Sequence, residues 1–285
     1  MSVLEETKYI MKKYKIKANK SLGQNFLIDD TVIEDIVGGA DIGKDDLVIE
    51  IGPGLGSMTA LLVERAKKVI CVELDKKMIK ILNDRFIAYS NIELINEDVL
   101  KLDLNSLIKE EKEKNHIKDV KIVANLPYYI TTPIIMKLLE ENLDIASITV
   151  MIQKEVADRL IEIPSGKNTG AITYTIYYYC DSEKIMEVPN SSFIPEPEVT
   201  SEVIKMKIRK EPVVKVENPK VMFMIIKSAF MQRRKTLLNA LTNAQVFISK
   251  QEGINILNKL GLNENVRAEN LTIENYAELA KEISK

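Results

Sequence analysis

Asn125-Leu126-Pro127-Tyr128 follows an apolar, strand-like run at residues 120–124 and places acceptors, a rigid turn and a ring within four positions. An exocyclic adenine amine is a poor nucleophile because its lone pair is delocalised into the ring. Alkylating it requires acceptors that draw the nitrogen toward tetrahedral geometry. The Asn125 side-chain oxygen and the Leu126 carbonyl can accept its two N–H bonds, Pro127 fixes the turn, and Tyr128 offers a face for an extruded base. The scheme needs no general base, since the nitrogen becomes acidic only after the new carbon has bonded. The single histidine, His116, lies outside the motif. The same four residues also suit a plain strand-ending turn, so the surrounding elements must decide between the readings.

A second constellation lies upstream. Glu50-Ile51-Gly52-Pro53-Gly54-Leu55-Gly56 closes an apolar run and opens a helical pattern, where backbone can approach a ligand closely. A dinucleotide fingerprint wants its third Gly or Ala at position 57, which is Ser57. Glu50 before the turn repels a diphosphate and suits a cofactor with a cationic sulfonium and ammonium, so S-adenosylmethionine fits better than NAD. Glu73, 21 residues past Gly52, ends the next apolar run and can accept from both hydroxyls of a ribose. Asp98, after a third run, can accept from the amino group of the cofactor's adenine. Each acid alone also suits a helix cap; with the glycine turn they form a joint signal for a nucleoside cofactor.

Positioning these groups requires parallel strands ending side by side. From Leu47 onward short apolar strands alternate with amphipathic helices: strands at residues 47–51, 69–74, 92–95, 120–124 and 147–152, with helices near 58–66 and up to 86. This alternation predicts an α/β fold with a mostly parallel, doubly wound, Rossmann-like sheet, ligands lying outside the carboxyl ends of its strands. Strands at 184–188 and 203–208 are close enough to form an antiparallel closing pair. The lysine-rich stretch 109–121 reads as a solvated helix or loop insertion. The run of tyrosines within residues 174–179 reads as helix packing rather than a base-stacking platform. Pro212 and Pro219 bracket a charged break, followed by helices at 221–241, 249–260 and 273–283. The expected domains are a Rossmann-like methyltransferase domain with a basic N-terminal segment at residues 1–212 and a small all-helical domain at 213–285.

Net charge is −2, yet the lysines are unevenly placed. Lys8, Lys12, Lys13, Lys15, Lys17 and Lys20 occur with no acid among them, and residues 221–250 hold Lys227, Arg233, Arg234, Lys235 and Lys250, again without an acid. Basic patches on a near-neutral chain suit contact with nucleic acid through defined faces. Arg233, Arg234 and Lys235 are expected on a helix, facing phosphates. Cys71 and Cys180 form no CxxC pair, so buried thiols and no metal site are expected. No segment reads as a signal peptide or membrane span, and a reducing, cytoplasmic compartment is expected.

Across nearly its whole length the chain resembles the KsgA/RsmA family of small-subunit (16S) ribosomal RNA adenine N6,N6-dimethyltransferases. The resemblance rests on Ser21-Leu22-Gly23-Gln24-Asn25-Phe26-Leu27, the glycine turn, Val72-Glu73-Leu74-Asp75 and Asn125-Leu126-Pro127-Tyr128. It continues through Phe193-Ile194-Pro195-Glu196-Pro197-Glu198-Val199, the block from Ala229 through Gln232-Arg233-Arg234-Lys235 to Leu237, and Arg267-Ala268-Glu269-Asn270-Leu271. It implies dimethylation of two adjacent adenosines in the 3′-terminal hairpin loop of 16S rRNA during ribosome biogenesis, with the small ribosomal subunit as partner and a monomeric enzyme. It further implies that Asn25 and Leu27 cover the cofactor, that Gly52, Gly54, Gly56, Glu73, Asp98 and Asn125 complete its site, and that Phe193 faces Tyr128 in an aromatic clamp. Pro195 and Pro197 would stiffen the loop that holds the Phe193 ring exposed. Tyr129 and Met58 depart from the family's usual residues and bear on pocket shape. The rival readings are a macrolide-resistance-type 23S rRNA adenine N6-methyltransferase and a non-catalytic ribosome-assembly or nucleic-acid-binding factor.

Overall fold

The structure, a computed structural model, describes residues 1–164 and 166–284. Contacts divide the chain into two units, one of residues 1–157 with 182–208, the other of residues 158–181 with 209–285.

The first unit opens with α1 (Val3–Lys13), capped reciprocally: Ser2 Oγ accepts from Glu5 N at 3.3 Å, and Glu5 Oε2 accepts from Ser2 N at 3.0 Å. The two-residue strand β1 (Phe26–Leu27) leads into α2 (Asp30–Gly39), N-capped by Asp29. The alternation predicted from Leu47 follows: β2 (Leu47–Ile51), α3 (Ser57–Arg65), β3 (Lys68–Val72), α4 (Lys76–Phe86), β4 (Ile92–Ile95), α5 (Leu104–Asn115), β5 (Val120–Asn125), α6 (Thr131–Glu140) and β6 (Ser147–Gln153). The lysine-rich stretch is therefore helix as far as Asn115, ending at His116 in the left-handed region (φ 49°). α7 (Lys154–Ile161) and α8 (Ala171–Tyr179) precede β7 (Cys180–Val188), the short β8 (Phe193–Ile194) and β9 (Ser201–Ile208).

Among the described residues a seven-stranded sheet runs in the order β4-β3-β2-β5-β6-β9-β7. β4, β3, β2, β5 and β6 are mutually parallel, and β9 closes antiparallel on β6 with Gln153 opposite Ser201. Every residue of β2 is buried, as a parallel strand covered on both faces must be. The chain order reverses where β2 lies between β3 and β5, so the carboxyl ends of β2 and β5 sit together with Ile51 opposite Ala124. That switch point is where a doubly wound sheet leaves a crevice. β1 and β8 form a separate antiparallel pair that sets Leu27 against Phe193.

The second unit holds α8 and, beyond residue 209, α9 (Pro219–Met231), α10 (Leu237–Asn243), α11 (Lys250–Lys259) and α12 (Ile273–Ile283). Its core joins Tyr174 and Tyr178 of α8 to Met222, Phe223, Leu241, Phe247 and Tyr276. Tyr174 donates its hydroxyl to Leu271 O at 2.5 Å, and its ring meets Tyr276 edge-on at 5.0 Å. The tyrosine run thus packs inside the helical unit, and this is why residues 158–181 group with that unit although they precede position 212. The helix expected over 221–241 is two helices. Gln232 leaves helical geometry (φ −124°, ψ 55°), Lys235 N donates to Gln232 O at 2.8 Å, and Thr236 starts α10 by accepting from Asn239 N. Arg233, Arg234 and Lys235 therefore lie in a turn, not on a helix as expected. Among the described residues no helix is long and apolar enough to cross a membrane.

Candidate active site

The glycine turn after β2 uses left-handed backbone at Gly52 (φ 69°), Gly54 (φ 57°) and Gly56 (φ 84°). Gly56 caps α3, and a Cβ there would lie 2.7 Å from the Phe86 ring and 2.8 Å from Leu82, so any side chain would push α3 off α4. Gly52 and Gly54 line a cavity at the carboxyl ends of the strands; Gly56 faces α4 instead. The turn is tied to the next strand by Gly54 N, which donates to Glu73 Oε2 at 3.2 Å.

Glu73 is buried, and its other oxygen accepts from Asp75 N at 2.8 Å. Burial pushes its pKa up, and the backbone donors of Asp75 and Gly54 pull against that. Each carboxylate oxygen so engaged still has a lone pair to offer. Asn96 Nδ2 donates to Glu73 O at 2.8 Å and binds the ends of β3 and β4 together. Asp98 sits just beyond β4, holding Leu100 N through Oδ1 at 3.0 Å, and lines the same cavity.

Glu50 is placed differently from its expected role. It is wholly buried, does not line the cavity, and accepts from Thr59 Oγ1 at 2.6 Å beside the Cys71 thiol. Burial pushes its pKa up to about 7, and among the described residues its Oε1 has no hydrogen-bond partner. Period-2 alternation along β2 turns this side chain into the sheet's packed face, so it exerts no direct contact on a cofactor's charge.

At the end of β5, Asn125 Nδ2 donates to Asn25 O at 3.2 Å. A carbonyl neighbour demands the amide's donor end, so Oδ1 is the end left for a ligand. Leu126 is buried and its amide is held by Met151 O at 3.1 Å. Pro127 O accepts from Ile130 N and from Thr131 Oγ1, closing the turn into α6. Tyr128 is half-buried, with its hydroxyl 2.7 Å from Ser201 Oγ at the start of β9. The segment ahead of β1 is pinned over this region: Gln24 Nε2 donates to Asp75 Oδ2 at 3.2 Å, and Gly23 takes φ 61° where a Cβ would lie 3.2 Å from Pro127.

One cavity therefore gathers Asn25, Leu27, Gly52, Gly54, Glu73, Asp98, Asn125, Leu126, Pro127, Tyr128 and Phe193. Phe193 reaches it from an unexpected setting. Its ring is only 2% exposed, packed in the core with Leu27, Met151 and Val203, because β8 pairs it with β1. It is a wall of the cavity, not an exposed blade. Sequence reasoning missed the apolar lining, including Leu74, which is 51% exposed immediately after Glu73, and Val99 immediately after Asp98. An apolar residue flanking each acid was the available signal. It also missed Ser201, which no local pattern links to Tyr128. Arg233, Arg234 and Lys235 belong to the helical unit and are exposed; Arg233 Nη2 donates to Lys167 O at 2.9 Å and Thr169 O at 3.2 Å.

Left-handed glycines on one wall, a buried carboxylate with spare lone pairs, a second acid and apolar faces between them fit a nucleoside cofactor. A single oriented amide acceptor and an anchored ring beside them fit a planar base.

The model of a family described as ribosomal RNA adenine dimethylase matches residues 15–285. The chain is 50% identical over 279 residues to a ribosomal RNA small subunit methyltransferase A of Alkaliphilus metalliredigens, covering 98% of this chain and 96% of the relative. A protein of the same name from Clostridium botulinum is 47% identical over 96% of this chain and 97% of its own length. Among solved structures, a dimethyladenosine transferase from Plasmodium falciparum superposes with a TM-score of 0.76 at 26% identity, covering 91% of this chain and 97% of its own. The 23S rRNA methyltransferase ErmE shares the fold, with a TM-score of 0.66 at 22% identity over 92% of this chain and 100% of its own.

Proposed function

The chain belongs to the ribosomal RNA adenine dimethylase family, and from that premise we propose that it dimethylates N6 of two adjacent adenosines in the 3′-terminal hairpin loop of 16S rRNA, using S-adenosylmethionine. The observation that carries the reading is the tether of Asn125 to Asn25 O, which commits the amide's donor end and presents Oδ1 beside the cavity.

Gly52 and Gly54 hold the cofactor by close backbone approach, Glu73 accepts from its ribose, Asp98 from its adenine amine, and Asn25 and Leu27 cover it. S-adenosylmethionine supplies, when bound, an electrophilic methyl carbon on a positive sulfur. The remaining work is placement. Tyr128, held by Ser201, stacks the extruded adenine, returning about 1 to 3 kcal/mol per ring contact against the few kcal/mol of extrusion. Asn125 Oδ1 and the Leu126 carbonyl each take one N–H, drawing the lone pair out of the ring and toward the electrophile. Orientation of this kind is worth about 7 to 11 kcal/mol of barrier. The nitrogen gives up its proton to solvent only after methylation has made it cationic, so no side chain need act as base. After the first transfer a single N–H remains, and one of the two acceptors suffices to hold it for the second.

The test is incubation of the purified protein with labelled S-adenosylmethionine and unmodified small or large ribosomal subunits, followed by mapping of the label. Label on dimethyladenosine of small subunits, lost in a folded Asn125→Ala variant, is the expected result. Label confined to large subunits would favour the 23S-type activity. Cofactor binding without label on either would favour an assembly factor.

A further inference from the structure

The outward face of α1 is an unusual surface. Thr7 and Ile10 turn inward, and Ile10, Met11, Tyr14 and Ile16 pack in a small cluster with Phe26 and Leu55. Phe26 and Leu55 are also walls of the cavity, so the helix rests on the site's own framework. Its fixings are all on one side: Glu6 pairs with Arg85 Nη2 at 2.7 Å, Tyr14 donates to Asp84 Oδ2 at 3.0 Å, and Val3 N donates to Asp30. The opposite side carries Lys8, Tyr9 and Lys12, with Lys13 flanking it, all exposed, followed by exposed Lys15 and Lys17. Among the described residues none of these five lysines forms an ion pair with a carboxylate, whereas Lys68, Lys112, Lys121, Lys184 and Lys205 all do. Lys13 lies instead over the rings of Tyr9 and Tyr14, 6.0 and 5.0 Å from their centroids.

Unpaired cations on a fixed helix, with one exposed ring among them, are the chemistry of a surface that tracks a phosphate backbone. The chain runs from these lysines directly into Leu22–Leu27, which line the cavity. The match to the family model begins at residue 15, just past the end of α1. We propose that the lysine face of α1 and the segment after it grips the RNA strand flanking the target adenosine, adding phosphate contacts on the cavity side of the sheet unit. This rests on the RNA-methylating function proposed above. An anionic membrane is the weaker partner, because an interfacial helix must turn its apolar face outward, and the apolar face of α1 is spent on Phe26 and Leu55.

The test is a full-length variant with Lys8, Lys12, Lys13, Lys15 and Lys17 all changed to Gln, which keeps helix propensity and removes only charge. Small-subunit binding is measured by filter retention from about 50 to 200 mM salt, where each lost phosphate contact removes about 0.7 to 0.9 from the slope of log affinity against log salt. The variant is expected to bind with a slope flatter by about 2 to 4 on that scale, to show a raised KM for subunits with kcat and cofactor affinity unchanged, and to unfold at the wild-type temperature. The matching Lys→Arg variant is expected to retain wild-type binding. An unchanged salt slope in the folded Gln variant would overturn the proposal, as would charge-dependent binding to phosphatidylglycerol vesicles with subunit binding unaltered. A wild-type protein that binds subunits and methylates none would sink the catalytic reading while leaving this binding measurement decisive.

Discussion

At the scale of single residues, Tyr128 and Phe193 were expected to face one another as an aromatic clamp. The structure separates them. Tyr128 is half-buried and tied down by one hydroxyl contact, so Tyr128→Ala should cost stability by about 1 kcal/mol through that bond and its partly buried ring. Its methylation rate should fall sharply with cofactor affinity intact. Phe193 is a core side chain set against Leu27, and Phe193→Ala should destabilise the protein by about 3 to 5 kcal/mol, as large-to-small changes in cores do. Denaturant unfolding of the two variants side by side checks this. Equal stabilities would mean that the β1–β8 pair does not hold the ring as described.

At the scale of elements, the break between α9 and α10 changes what the Arg233-Arg234-Lys235 run can do. A turn projects its side chains in several directions, and Arg233 already serves the backbone carbonyls of Lys167 and Thr169 inside the helical unit. Arg234 and Lys235 are exposed and remain available to phosphates. Changing all three to Gln should weaken subunit binding and flatten its salt dependence by about 1.4 to 1.8, the share of two contacts rather than three. Arg233→Gln alone should leave the salt slope unchanged and lower the unfolding temperature. Filter retention and thermal unfolding on the two variants distinguish the roles, and a loss of slope in the single variant would show that Arg233 faces RNA after all.

At the scale of the whole molecule, the consequence of a buried acid is a pH-dependent stability. Glu50 has its pKa raised from 4.5 to about 7 by burial, opposed by bonds from Thr59 and Cys71. For an acid with a raised folded pKa, the folded state holds the proton longer than the unfolded state. Stability from this group is fully present below about pH 4.5 and is lost as pH rises through about 7. The full loss is on the order of 3 kcal/mol. Glu50→Gln keeps an acceptor for Thr59 and never ionises, so it should flatten the dependence of unfolding on pH between about 4.5 and 7 and be the more stable form at the alkaline end. Parallel slopes for the two proteins would show that other groups govern this range.

Local patterning carried much of this architecture. Five short apolar runs separated by amphipathic helices require a parallel sheet, because strands too short to bury themselves must be covered on both faces, and the glycine turn, Glu73, Asp98 and Asn125 all fall at strand ends, where such a sheet opens its crevice. Those positions were legible because motif and period coincide within a few residues. Several features were settled only by contacts distant in sequence. Glu50, in the fully buried β2, was turned away from the cavity toward Thr59 and Cys71. Phe193 was drawn into the core by pairing with Leu27, and Tyr128 was anchored by Ser201. The tyrosine run of α8 was claimed by the helical unit through Leu271 and Tyr276. In each case a side chain's type states what it can bond to, whereas its partner and its exposure depend on which segment the fold brings beside it.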